Sequence, residues 1–367
     1  MKVLFIATLP PPVTGQSVAS QALLDQLEED GHTVCTINLS KKTFRQGITS
    51  LSRIFEVLSL TWQTWKAGSD FDAVYLTTSE SLAGNLKDTL LLAVIGRLRS
   101  KTWLHLHGGA GMRNLLALRA GWIRRLNRFF LKRVAGVIVL GDRLISIFDG
   151  YVEADRIRIV KNFVADNLFL DERLIADKWS DNSVLRVLFL SNLLEGKGHL
   201  DLVKAISKLS PEMHSCFYFD FAGGFESVVD ESLFKSEIAD LPMVTYHGVV
   251  HGEAKQALLA KAHVFCLPTF YPYEGQPISI LEAYASGCVV LTTDHSGIFD
   301  IFMPGKNGWE VKPRCPESIV AALESLAFVN VDARKIAYQN RKEAGLLYTR
   351  QVHLRALYAA LGWGKPK

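Results

Sequence analysis

Cysteine is scarce and scattered in this chain. Five cysteines occur among 367 residues, and an odd number at irregular spacing suits neither a disulfide framework nor a zinc site. Three of the five lie in apolar segments, where cysteine serves as a small core residue. The pattern predicts reduced thiols in a cytoplasmic protein; the residues are Cys35, Cys216, Cys266, Cys288 and Cys315.

Long hydrophobic runs and low-complexity tracts are also missing. No apolar run approaches the roughly 18 residues that a membrane-spanning helix needs. The apolar N-terminal run is short and meets three prolines, which favours a first core strand over a signal peptide. With 49% hydrophobic and 21% charged residues over 367 positions, the composition indicates a globular protein of two domains.

Acidic residues are absent from Thr89 to Gly141, a segment with ten lysines and arginines. Residues 1–165 contain 21 Lys and Arg against 13 Asp and Glu, net +8, and the remainder contains 20 against 24, net −4, which sums to +4. A basic amphipathic helix is predicted from about Arg113 to Arg133, with the composition of an interfacial membrane helix. A core-facing helix with a solvated basic side is the alternative, and a nucleic-acid surface lacks any recognised binding module. The predicted membrane or acceptor surface comprises Arg113, Arg119, Trp122, Arg124, Arg125 and Arg128.

Apolar runs alternate with helical patterns along the whole chain. The first run leads through a proline-rich loop into a helix predicted from about Ser17, capped by that serine and ending at Gly31. This loop lacks the dinucleotide fingerprint G-x-G-x-x-G. Further strands are predicted at 33–37, 73–77, 102–106, 134–140 and 156–160, then at 184–190, 217–222, 244–246, 262–267 and from 289. Helices are predicted near 44–65, 86–98, 317–326 and 333–361.

The most informative stretch runs from the apolar strand at 262–267 to the strand that begins at Val289. Pro277 stands where a helix takes its first residue, and Gly287 supplies the stop. The backbone N–H groups around Gly275–Ile278 would lie at the positive end of that helix, where a phosphate binds well. Glu274 and Glu282 flank this position and would repel a phosphate, so they are better explained as acceptors for neutral hydroxyls of a sugar and a ribose.

At this stretch the sequence resembles a known family. Glu274 and Glu282 match the E-x7-E motif of retaining glycosyltransferases with the GT-B fold, and EGQPISILEAYASG is similar to glycosyltransferase family 4. The resemblance implies an α/β protein with two doubly wound Rossmann-like domains facing a cleft. Domain bounds of 1–165 and 166–345 are expected, with a final helix, about 346–367, that packs back on the first domain.

The resemblance also implies roles for residues that match the family's motifs. A nucleotide-diphosphate sugar is the expected donor, with no cofactor and no metal. Lys197 matches one cation of the diphosphate clamp, but Asn192 stands where the family usually has Arg, and Gln16 where most members have a second Gly after Gly15. The implied donor-binding residues are Gly15, Gln16, Asn192, Gly248, Val249, Gly275, Gln276, Pro277, Ile278 and Glu282.

His107 follows the strand at 102–106 and precedes two glycines. A His at the carboxyl end of a parallel strand points toward the crevice where open α/β sheets bind ligands. The resemblance places a matching His at the donor sugar, so the implied catalytic residues are His107, Lys197 and Glu274.

The sequence therefore predicts a retaining glycosyltransferase that acts on a glycan or lipid-linked acceptor in bacterial polysaccharide or glycolipid biosynthesis. Its expected location is cytoplasmic, with peripheral contact on the inner face of the cell membrane, and no nucleic-acid partner is expected. Two alternatives remain open: a nucleotide-sugar epimerase on the same fold, and a catalytically weak binding or partner subunit, suggested by Asn192.

Overall fold

Two separate parallel sheets organise the chain, for which a computed structural model describes residues 1–11, 13–40, 50–117, 121–180, 184–328 and 333–364. The first sheet has the spatial order β2-β1-β3-β4-β5-β6, with every neighbouring pair parallel. Its strands are β1 (Lys2–Ala7), β2 (Thr33–Asn38), β3 (Ala73–Thr77), β4 (Thr102–His105), β5 (Gly136–Val139) and β6 (Ile157–Ile159).

The second sheet has the order β12-β11-β10-β7-β8-β9 and is also parallel throughout. Numbered from its own first strand, this is the order 3-2-1-4-5-6 of a dinucleotide-binding sheet, in which the first and fourth strands are neighbours. The strands are β7 (Leu185–Leu190), β8 (Phe217–Ala222), β9 (Val244–Tyr246), β10 (Val264–Leu267), β11 (Val289–Thr292) and β12 (Gly308–Glu310).

Helices connect the parallel strands, as crossover connections require. In the first half they are α1 (Gly15–Glu29), α2 (Ser50–Ala67), α3 (Leu82–Ile95), α4 (Ala110–Ala117), α5 (Gly121–Leu131) and α6 (Glu172–Lys178). In the second half they are α7 (His199–Lys208), α8 (Pro211–His214), α9 (Val228–Glu237), α10 (Gly252–Lys261), α11 (Ile278–Ala285), α12 (Pro316–Phe328), α13 (Ala333–Leu347) and α14 (Arg350–Leu361).

Several element boundaries differ from the sequence-based expectation. The first helix begins at Gly15, because the Thr14 side chain caps it by accepting from the Ser17 amide, and Ser17 bonds back to the Thr14 amide as the other half of a capping box. Ser17 is therefore a partner of the cap, and the prediction that it is the cap is wrong. The segment expected as one helix over 333–361 forms two, α13 and α14.

The chain divides into two compact units. The first contains Met1–Asn162, Pro272–Gln276 and Gln351–Lys367, and the second contains Phe163–Tyr271 and Pro277–Arg350. In the first unit, α14 covers one face of the sheet with Leu354, Leu357 and Tyr358, while α2, α3, α4 and α5 share a core on the other face. The segment around Glu274, expected within the donor domain, clusters with the first unit.

No helix among the described residues is long and apolar enough to cross a membrane.

Candidate functional site

The second unit has its topological switch point between β7 and β10, where the chain leaves two neighbouring strands in opposite directions. Ligands of open α/β sheets bind beyond the carboxyl ends of the strands at such a point. The loop after β7 carries Asn192 and Lys197, and the loop after β10 leads to Pro277 and α11. The topology thus brings two of the motif-bearing loops to one sheet edge.

These two loops are bonded to each other. The Phe270 amide donates to the Gly196 carbonyl at 2.7 Å. Gly196 has a φ of +90°, and a Cβ on Gly198, whose φ is +85°, would lie 2.3 Å from the Pro268 carbonyl oxygen. Only glycine fits this close approach in a left-handed conformation. The Lys197 ammonium lies 4.6 Å from the centre of the Tyr271 ring, within the range of a cation–π contact.

Asn192 and the turn after β9 lie at the same end of this sheet. Asn192, which stands where the resembling family usually has arginine, is exposed and carries no charge. The turn after β9 is tied to the end of β8, since the Gly223 amide donates to the Gly248 carbonyl at 2.8 Å. Gly248 has a φ of +67°, and the neighbouring Val249 side chain is exposed.

The start of α11 is open to an anion. Its N-cap is Pro277, which supplies no side-chain hydrogen bond to the helix, so Ile278 begins a helix without a side-chain cap. Such a terminus presents backbone N–H groups and a positive partial charge. One turn further, buried Glu282 forms an ion pair of 2.6 Å with Lys255 of α10. The ammonium neutralises a carboxylate that burial would otherwise disfavour.

The first sheet has its own switch point between β1 and β3. Gly15 is the exposed first residue of α1, directly after the β1 loop. The side-chain amide of Gln16 donates to the hydroxyl of Thr8, directly after β1, at 3.4 Å. The loop after β3 carries Glu80, and the turn after β4 carries His107.

His107 is half-buried, but both of its ring nitrogens are out of contact with solvent and have no hydrogen-bond partner among the described residues. Its ring lies 3.9 Å from that of His105, whose Nδ1 is 2.6 Å from the Tyr75 hydroxyl. Burial, followed by the nearby His353, lowers the pKa of His107 to about 3. The imidazole is therefore neutral at physiological pH and can donate or accept a hydrogen bond without carrying charge.

Glu80 is a candidate site residue that the sequence did not reveal. Its carboxylate accepts hydrogen bonds from the backbone amides of Gly109, Gly111 and Met112 at the start of α4, the last at 3.0 Å. Burial raises the pKa of the Glu80 carboxyl to about 7, against these hydrogen bonds, and the charge of Glu274 acts in the same direction as burial. No motif marks Glu80, because its partners lie about thirty positions away in the chain.

The Pro272–Gln276 segment is fixed against the His107 turn. A Cβ on Gly275 would lie 2.2 Å from the His107 carbonyl oxygen, so the two backbones pack directly. Gln276 accepts from the Asn162 amide at 2.8 Å and donates to the Leu140 carbonyl at 3.1 Å. A donor contact through the Gln276 side chain would have to break these bonds. Glu274 itself is buried, at 7% exposure.

The predicted basic surface lies on α4 and α5. Arg113, Arg124, Arg125 and Arg128 are exposed, as is Trp122. The apolar residues Ile123, Phe130 and Leu131 of α5 are buried in the core, so most of the apolar side of this helix faces the protein. Arg119 lies outside the described residues.

Comparisons with known proteins agree with this architecture. A solved structure of Anabaena Alr3699/HepE in complex with UDP and glucose has a TM-score of 0.74 at 15% identity, covering 99% of this chain and 100% of that one. Sucrose-phosphate synthase from Thermosynechococcus elongatus has a TM-score of 0.75 at 16% identity, covering 99% and 98%. The predicted GT-B fold, with two α/β domains built on parallel six-stranded sheets, is confirmed.

The family model that matches this chain lies within the second half of the sequence. Residues 185–327 match the family model described as glycosyl transferases group 1. The chain is 25% identical over 180 residues to the amylovoran biosynthesis glycosyltransferase AmsK of Erwinia amylovora, 47% of this chain and 43% of that protein. It is 32% identical over 92 residues to the putative colanic acid biosynthesis glycosyltransferase WcaL of Salmonella typhimurium, 24% and 23%. The match spans less than half the length of these curated relatives; with the fold, it supports a GT-B glycosyltransferase.

Proposed function

We propose that this chain is a retaining glycosyltransferase that transfers a sugar from a nucleotide-diphosphate sugar to a glycan or lipid-linked acceptor in bacterial polysaccharide or glycolipid biosynthesis. The observation that carries the proposal is the match of residues 185–327 to group 1 glycosyltransferases, because these residues include the whole E-x7-E stretch and both loops of the β7–β10 switch point. The AmsK and WcaL relatives, named for polysaccharide biosynthesis, support the proposed pathway class.

The proposed donor contacts in the second unit follow from charge. The uncapped start of α11 and Lys197 bind the diphosphate, whose negative charge grows as the bond to the sugar breaks. Glu282, held by Lys255, accepts from the ribose hydroxyls. The UDP and glucose bound to the HepE structure make a uridine diphosphate hexose the first donor to test.

Glu274 and His107 are the proposed groups for the sugar. Glu274 and the amides that follow it bind sugar hydroxyls, and neutral His107 hydrogen-bonds to the reacting sugar. The bond between the anomeric carbon and the diphosphate oxygen breaks, and the acceptor oxygen bonds to the same face of that carbon. The acceptor proton passes to the leaving diphosphate, so no side-chain nucleophile and no metal is required in this scheme.

A thermal-shift panel tests donor binding. Uridine diphosphate and its sugars are expected to raise the melting temperature by mass action, and Glu282→Ala is expected to abolish the shift, while Lys261→Ala, on the exposed end of α10, keeps it. A full shift and full donor consumption by Glu282→Ala would refute the assignment of the site.

Product analysis distinguishes the reaction classes. A transferase forms product only with an acceptor, and NMR of that product shows the anomeric configuration of the donor. An epimerase would instead yield epimer or free sugar from donor alone. Exposed, uncharged Asn192 favours a weakly active subunit as the second candidate. Wild type that binds donor without turnover, together with turnover restored by Asn192→Arg, would establish it.

A further inference from the structure

The outward side of α2 is apolar. Five large side chains of this helix are more than half exposed: Ile54, Phe55, Leu58, Trp62 and Trp65. At 100° per residue they fall within an arc of about 100°, and the rings of Trp62 and Trp65 lie 5.0 Å apart. The opposite side of the helix packs against the protein, and Leu60 and Thr64 are buried there.

The apolar exposure continues onto α3, which packs against α2. Leu82 and Leu90 of α3 are exposed at 44% and 40%. They are eight residues apart, which is two steps of four, so both lie on one side of the helix. A soluble monomer seldom exposes a large contiguous apolar patch, and patches of this kind mark interaction sites. We call the exposed side chains of α2, α3 and α5 the outer helical face.

The third helix of the outer helical face is cationic. α5 packs against α3 and exposes Arg124, Arg125 and Arg128 together with Trp122 and Phe129. The Arg133 guanidinium lies 3.7 Å from the centre of the Phe129 ring. Among the described side chains of these three helices, the only exposed acid is Glu56.

This combination selects one kind of partner. A second copy of the chain, docked by a two-fold axis, would place both sets of arginines in one interface, because such an interface uses the same patch on both subunits. Glu56 is the only exposed acid among the described side chains of the face that could pair with them. An anionic lipid surface complements both parts of the face, since tryptophans and aliphatic side chains enter the interfacial region while arginines meet phosphate groups. The 18 residues of α2 form a rod about 27 Å long that would lie in the plane of the bilayer.

We propose that the outer helical face docks on an anionic bilayer, with the apolar arc of α2 inserted at the interface and the arginines of α5 on the headgroups. The inserted element is thus α2, since α5 turns Ile123 and Phe130 into the core. The inference deepens the lipid-side part of the proposed function and does not depend on the donor chemistry.

Vesicle flotation tests the proposal. Wild type is expected to float with vesicles of phosphatidylcholine and phosphatidylglycerol, more weakly with phosphatidylcholine alone, and less as salt rises. Trp62→Glu with Trp65→Glu is expected to lower the partition coefficient at least tenfold, because each buried tryptophan contributes roughly a factor of ten or more. Arg124→Gln with Arg125→Gln is expected to reduce binding to the anionic vesicles only.

Leu233→Glu is the matched control, because Leu233 is 59% exposed on α9 of the second unit. It is expected to float like wild type. Brominated lipid is expected to quench wild-type tryptophan fluorescence, and Trp62→Phe with Trp65→Phe to lose most of that quenching while still floating.

Three results would overturn the proposal: no flotation of wild type, equal flotation of the Glu variant at an unchanged melting temperature, or a dimer that the Glu variant dissociates and that does not float. The donor thermal shift is measured on the same samples. A donor shift without flotation rejects the membrane face alone, and flotation without a donor shift rejects the proposed function alone.

Discussion

At the scale of single residues, Glu80 shows what motif spacing leaves out. The E-x7-E spacing located Glu274 and Glu282, because both acids belong to one loop and helix that the sequence shows as a unit. Glu80 and Lys255 have no such local signature: each matters through a contact with residues about thirty positions away. Sequence reasoning finds side chains that share an element and misses those brought together by the crossovers.

Glu80→Gln should change how stability depends on pH. Burial raises the pKa of Glu80 to about 7. Between about pH 4.5 and 7, the folded protein therefore holds this proton more tightly than the unfolded chain does. Wild type loses stability as pH rises through that window. Glutamine cannot ionise, so the variant should gain on the order of 2 kcal/mol relative to wild type between pH 4.5 and 7.5. Denaturant unfolding at both pH values measures this, with exposed Glu153→Gln as control; a pH-independent difference contradicts it.

Lys255→Met should act through Glu282. Without the ammonium at 2.6 Å, the buried carboxylate lacks its ion-pair partner, and a loss of stability on the order of 2 kcal/mol is expected. The same change should raise KM for donor more than it lowers kcat, because Glu282 is the proposed ribose ligand. Lys261→Met on the same helix is the control, and equal behaviour of the two variants in melting temperature and KM would count against the role of the pair.

At the scale of elements, the glycines around His107 decide how closely loops pack. A Cβ on Gly108 would lie 1.2 Å from a carboxylate oxygen of Glu80, and that carboxylate is held by the amides that begin α4. The sequence showed the glycines, but it did not show that Glu80 leaves no room for a side chain at Gly108. It also predicted every strand of the structure except β12, because buried parallel strands are continuous apolar runs and β12 is a short edge strand of three residues. Helix ends were less accurate, because caps such as Thr14 depend on local geometry.

Gly108→Ala should destabilise the first unit by about 2 kcal/mol or more, since it displaces Glu80 from the start of α4. Gly121→Ala, at the first residue of α5 with no atom within 4 Å of its Cβ position, should change stability by less than about 0.5 kcal/mol. Melting temperatures compare the two. Because the clash is with one side chain, the cost of Gly108→Ala should shrink in a Glu80→Ala background; an unchanged cost would locate the strain elsewhere.

At the scale of the whole molecule, the two units differ in how acid should affect them. His105 and His353 are buried and His107 is half-buried in the first unit, and loss of solvent around the ring lowers the pKa of each. In the second unit, His199 is the described histidine whose pKa burial lowers, to about 4. The fold and the basic first half were predictable from apolar periodicity and charge, whereas this clustering of histidines from β4 and α14 was not, because it depends on where the last helix packs.

The first unit should therefore unfold first as pH falls. A histidine whose pKa is lowered in the folded state takes up its proton mainly on unfolding, so stability is present above about pH 6.5 and is lost as pH falls toward 4. Three such groups contribute up to about 4 kcal/mol per pH unit, and Glu80, which titrates with the opposite sign, offsets about one proton of that slope. His353→Gln should reduce the slope by about one proton, and exposed His251→Gln should not. Unfolding curves from pH 7 to 4 measure it; identical slopes for all three proteins would exclude the mechanism.

The return of α14 to the first unit has a consequence for synthesis on the ribosome. Tyr358 donates a hydrogen bond to Asp30, and Leu354 and Leu357 pack with Phe5 and Leu23. The first sheet is therefore translated early, but α1 alone covers this face only in part until residues 351–361 emerge. The last residue of the second unit is Arg350, whereas the first unit also contains Gln351–Lys367. The ribosome therefore completes the second unit before it completes the first. In nascent chains of this protein, the second unit should thus finish folding before the first. The strands that are translated first should remain accessible to chaperones for the longest time.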